Sequence, residues 1–121
     1  MSAAAKSLFV FTLYLVGLGL GLLLIPNTLI RFFGYPETHE VWIRVVGMLV
    51  LFLAFYCFQA VRTEWTDFFR WSVYPRSLVI VFFSAFVLLD LAPPVLILFG
   101  VIDLAAAVWT ALALRAARPA R

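Results

Sequence analysis

Four apolar runs separated by short polar turns organise the chain, and each approaches the length that crosses a bilayer as a helix. The first, 8–25, is ended by Pro26-Asn27. The piece Thr28 to Phe33 then sets Leu29, Ile30, Phe32 and Phe33 around Arg31 and is stopped by Gly34-Tyr35-Pro36, which predicts a brief interfacial helix. The second run spans 40–61. Arg62 to Tyr74 mixes Arg62, Glu64, Asp67 and Arg70 with Trp65, Phe68, Phe69, Trp71 and Tyr74. That is the make-up of a headgroup-level belt, and it predicts a segment lying along the membrane. Pro75 suits the first turn of a third helix, 75–91, whose apolar core from Leu78 to Leu89 is short, so a re-entrant hairpin is the alternative to a full crossing. Asp90-Leu91-Ala92-Pro93-Pro94 makes a tight turn, and the fourth span, 94–115, ends among Arg115, Arg118 and Arg121. The expected fold is all-α: one polytopic domain over 1–121, an antiparallel bundle of four transmembrane helices with short interfacial segments.

Composition agrees. Of 121 residues, 66% are hydrophobic and 12% charged, against about 25% charged in soluble domains. Lys6 before an apolar run has the look of a signal peptide, but eighteen apolar residues without an Ala-x-Ala site read as an uncleaved first helix. The net charge of +3 comes from residues scattered at helix ends, not from a patch that tracks phosphates, and this argues against nucleic-acid binding. The positive-inside rule places both termini in the cytoplasm, because Lys6, Arg62, Arg70, Arg76, Arg115, Arg118 and Arg121 lie on one side and only Arg31 and Arg44 on the other.

The single cysteine, Cys57, allows no intramolecular disulfide or redox pair and reads as a small packing residue. His39 is the lone histidine. With Glu37 and Glu40 it makes at most a weak surface metal site, so no metal or cofactor site is expected. No nucleophile, base and orienter set points to an enzyme. For helix packing, Gly17-x-x-x-Gly21 suits a close crossing, and Gly47, Gly100 and Ala107 lie on inward stripes of their helices.

The chemistry concentrates on Asp103. Counted from Pro93, it lies about 15 Å along its helix, close to the middle of the hydrocarbon layer. An acid there is costly and is a functional-site hypothesis by default. Side chains lean toward a helix's amino terminus, so Arg44 is expected to pair with Asp90, at the end of the antiparallel third helix. Asp103 is left to the hydroxyls of Tyr14, Tyr56 or Ser84, or to water. It then either ties helices together as a neutral acid or takes up and releases protons.

The short piece Pro26 to Gly34, Trp42-x-Arg44-x-x-Gly47, and Phe99-Gly100-x-x-Asp103-x-x-x-Ala107-x-Trp109-Thr110 together resemble small bacterial four-helix membrane proteins of the broad DoxX-like neighbourhood. The resemblance implies a compact antiparallel bundle, sometimes an accessory to a membrane oxidoreductase, and supplies no catalytic residues. Small multidrug exporters share the size but carry their essential acid in the first helix, which has none here. The expected role is a bacterial inner-membrane protein acting through helix contacts, as a homo-oligomer or an accessory subunit. A proton-coupled transporter using Asp103 and a binder of a quinone or lipid are the alternatives.

Overall fold

A computed structural model describes residues 1–117; Arg118 and Arg121, counted above toward orientation, lie outside the described residues. Five helices follow in order: α1 (Ala3–Leu24), α2 (Pro26–Phe32), α3 (Trp42–Arg62), α4 (Thr66–Leu88) and α5 (Leu96–Ala116). All but α2 are long and apolar enough to span a membrane. The protein is a four-helix multi-pass bundle, with α2 the brief helix expected after the first span.

The third span departs from expectation. Residues 66–74 are not a separate segment but open α4, which runs on through Pro75, so the helix has 23 residues and is long enough for a full crossing. Pro75 has no N–H to give the Trp71 carbonyl. Breaking the helix in hydrocarbon would bare several more backbone groups, and transmembrane helices tolerate proline where neighbouring groups take up the freed ones. The side-chain bonds at this turn go to neighbouring carbonyls and not to that of Trp71: Ser72 Oγ donates to the Phe69 carbonyl at 2.8 Å, and Arg76 Nε donates to the Ser72 carbonyl at 3.2 Å. Phe69, assigned by composition to the surface belt, is only 1% exposed.

The helices pack as two antiparallel pairs, α1 with α3 and α4 with α5, docked through α1 and α5. Each pair has one very close crossing. A Cβ on Gly47 would sit 2.7 Å from the Leu23 nitrogen and 2.8 Å from the Gly19 oxygen; one on Gly100 would sit 2.9 Å from Ile80 Cα. Gly19, not Gly17, is therefore the partner of Gly47. Gly17 faces open space, and Gly21 makes room for Leu29 of α2. The i, i+4 spacing of Gly17 and Gly21 is real but points away from α3, because the crossing falls on the face carrying Gly19. Between the pairs, Ser7 and Thr110 share a hydrogen bond of 2.6 Å and are fully buried, with Ala107 beside them on α5.

We call near the end of the bundle that carries the start of α1, the turn 63–65 and the end of α5; the other is the far end. At the near end Glu64, in the left-handed region (φ 49°), accepts from the Ser2 backbone N–H at 2.8 Å and from Ser2 Oγ at 2.7 Å. Ser2 Oγ also accepts from the Ala5 N–H and caps α1. At the far end Phe33, after α2, packs edge-on against Phe99 of α5, with centroids 5.0 Å apart.

Two outcomes are expected. Gly47→Ala should destabilise the protein in detergent by about 1–3 kcal/mol, since backbone must move to admit the methyl, while Gly17→Ala should leave the melting temperature unchanged. The bonds from Ser2 hold the Glu64 carboxyl below its ordinary pKa. That stabilisation is complete above the unfolded value and is lost as pH falls through the lower, folded one, so melts below about pH 4.5 should fall less steeply for Glu64→Gln than for the wild type.

Candidate functional site

Arg76 sits where no arginine was expected. It was counted with the surface cations, but it is 6% exposed and lies inside the bundle against α1 and α3. Its side chain leans back along α4 as helical geometry requires. Nε and Nη2 bond the carbonyl and hydroxyl of Ser72 at 3.2 and 2.9 Å, and the guanidinium carbon lies 5.0 Å from the centroid of the Phe11 ring. Nη1 is sealed from water and has no hydrogen-bond partner among the described residues. Among the described residues no carboxylate lies within 4.0 Å of it, and the ion pairs are at exposed positions such as Arg31–Glu37 and Arg70–Asp67.

Arg76 lines a cavity of about 290 Å³ between α3 and α4, floored by Leu8 and Phe11 of α1 and walled by Leu53 and Cys57 of α3 and by Phe68, Trp71, Ser72 and Pro75 of α4. The packing explains its place. α3 and α4 are joined by three residues at the near end but touch little beyond that turn, so the bundle is closed on three sides and loosely closed on the fourth. A second apolar groove of about 340 Å³ between α1 and α3 contains Thr12, whose hydroxyl is spent on the Leu8 carbonyl.

The expected polar site is only partly assembled. Asp103 is half-buried on the stripe with Gly100, Ala107 and Thr110, and makes no hydrogen bond among the described residues. The Arg76 charge acts on it without contact, and Tyr14 of α1 lies within reach of its field. Ser84 is half-buried on α4, whereas Tyr56 is 62% exposed and faces away from the bundle. Arg44 and Asp90 do not pair. Arg44 reaches the Leu23 carbonyl and caps the carboxyl end of α1, while Asp90 is exposed with φ 59° in the turn after α4. The pairing assumed closely packed α3 and α4, but these helices make little contact with each other. Among the described residues no three His, Cys, Asp or Glu side chains gather as a metal site, and Glu37 is engaged by Arg31 at 3.3 Å. Among the described residues the Tyr35 hydroxyl is also buried without a partner, and burial pushes its pKa up.

The signal for Arg76 was present as Ser72 and Arg76, four residues apart and thus on one helical face. Starting the helix at Pro75 hid it by placing Ser72 outside. Comparison with known protein families, curated proteins and solved structures gives no match.

A cation at a helix carboxyl end contributes about 0.3–1 kcal/mol. Arg44→Ala should accordingly lower stability by about that amount. Asp90→Asn, which removes the charge and keeps a side chain suited to φ 59°, should change nothing, and the double variant should melt like Arg44→Ala alone.

Proposed function

We propose that the protein is a small multi-pass membrane protein whose work is binding, and that the bound molecule is an amphiphile taken from the bilayer into the cleft between α3 and α4. One observation carries the reading: a buried arginine with a free N–H group on a largely apolar cavity, on the loosely closed side of the bundle. Ligand sites are largely apolar concavities with a few fixed polar groups, and an ionisable residue inside a membrane bundle marks such a site. The cleft narrows the earlier lipid-or-quinone alternative to named residues. The near end, with exposed Lys6, Arg62, Arg70 and Arg115, faces the cytoplasm in this reading, and the membrane is a bacterial inner membrane.

A second reading, a homo-oligomer or accessory subunit acting through helix contacts, draws on Gly17. It leaves an open notch on an α1 face where Leu13, Val16 and Leu20 are also exposed. The proton-coupled reading rests on Asp103 alone.

Extraction in mild detergent followed by lipid analysis tests the first reading. Wild type should retain an amphiphile, and Leu53→Trp, which fills the cleft from α3, should retain about tenfold less while remaining folded, the equivalent of about 1.4 kcal/mol. Equal retention would remove the cleft as the binding site. Cys57→Ala, which takes only a thiol from the wall, should bind normally.

A further inference from the structure

Resting on that binding reading, we infer that the cleft selects an amphiphile with an oxyanion head, a phosphodiester or carboxylate carried on an acyl chain, and that Arg76 Nη1 is the group that receives it. The donor inventory leads there. A guanidinium has five N–H groups. Nε and one hydrogen of Nη2 are spent on Ser72, and the ring of Phe11 covers one face, so the unspent edge is Nη1.

Charge decides between a neutral and an anionic head. A buried cation without a contacting counter-ion is unfavourable; among the described residues no carboxylate lies within 4.0 Å of Arg76, and Asp103 acts on it only across a longer distance. A neutral carbonyl would fill the donor's need and leave the cation with only the distant Asp103 charge; an oxyanion supplies both an acceptor and a contacting counter-charge. The Ser72 hydroxyl is already donating to the Phe69 carbonyl, and Leu8, Phe11 and Leu53 offer only apolar surface, which suits the chain of the same molecule.

Depth is consistent with this. Arg76 lies six residues beyond Arg70 on α4, about 9 Å, and its side chain leans back one turn to Ser72, so the guanidinium is only about 3 Å deeper than the Arg70 backbone. A lipid head from the near-end leaflet has that short distance to sink. At that end Lys6, Arg62 and Arg115 are exposed, and with Arg70 paired to Asp67 they outnumber the acids Glu64 and Asp67, which favours anionic amphiphiles beside the cleft. Because Nη1 is sealed from water, the head reaches it by displacing a lining side chain, and Trp71 and Leu53, 57% and 46% exposed, are the large lining side chains nearest the outside.

Native mass spectrometry of the full chain stripped in neutral detergent tests this with four probes: dioleoyl phosphatidylglycerol, oleate, dioleoylglycerol and a ubiquinone. Wild type should prefer an anionic probe over the neutral ones by about tenfold or more, with a rise in melting temperature that the neutral probes do not give. Preference for phosphatidylglycerol alone identifies the phosphodiester as the source, and for oleate alone the carboxylate. Arg76→Gln should lose that preference, and Arg76→Lys should keep part of it. Should Arg76→Gln fail to fold, the wild-type competition alone still decides. Neutral probes binding as well as anionic ones, or a folded Arg76→Gln with unchanged preference, overturns the oxyanion inference and leaves the amphiphile reading standing. Wild type retaining none of the four overturns both.

Discussion

Two close crossings fix the geometry on which everything else depends. At Gly19 with Gly47 and at Gly100 with Ile80, backbone approaches backbone too closely to admit a Cβ, and each crossing locks a pair of antiparallel helices. Lipid chains are as apolar as leucine, so close packing of this kind, not hydrophobic exclusion, holds transmembrane helices together. The pairs then dock through α1 and α5, where Ser7 and Thr110 form a buried bond. Nothing comparable joins α3 to α4. The cleft follows from where the glycines are, since two locked pairs sharing one interface leave the opposite side with only a three-residue tether.

That cleft makes the polar residues of α4 intelligible. Ser72 and Arg76 lie one turn apart and bond each other, with Pro75 directly before the arginine. A proline in a membrane helix frees the carbonyl four residues earlier, here that of Trp71, while the Ser72 and Arg76 bonds go to the Phe69 and Ser72 carbonyls beside it. Arg76 meets half of its own need by bonding back to Ser72 and by lying against Phe11. The remaining edge stays buried and empty-handed, an expensive arrangement in a bundle that had apolar residues to spare.

The first, second and fourth spans were legible because hydropathy over 18 or more residues is a strong signal. The third was legible only in part, because its apolar core from Leu78 to Leu89 is short and its helix starts at Thr66. The glycine positions on α3 and α5 were legible because helical spacing put them on inward stripes. What failed shares a physical origin. Composition located Trp65, Phe69 and Trp71 at the membrane surface, but an aromatic cluster with charges has the same composition whether it lies on the surface or opens a helix. Phe69, almost wholly buried, shows which occurred. Arg44 was assigned to Asp90 by depth and lean alone, and depth cannot say which helices are neighbours. Arg44 found a backbone carbonyl instead, the acceptor that every helix end offers.

Asp103 and Arg76 are best understood together. Each is an ionisable residue inside the bundle, on neighbouring helices, near enough for one charge to act on the other yet not in contact. A contact pair would have closed both off by mutual neutralisation. Kept apart, each retains an unmet demand: the arginine for an acceptor, the acid for a proton or a donor. Asp103 gains from the cation nearby without consuming its N–H groups, and its field holds positive charge in a place that lipid alone would resist. An oxyanion arriving at Nη1 would then meet a cation already shared with Asp103, which weakens its hold and leaves the bound molecule free to exchange with the bilayer.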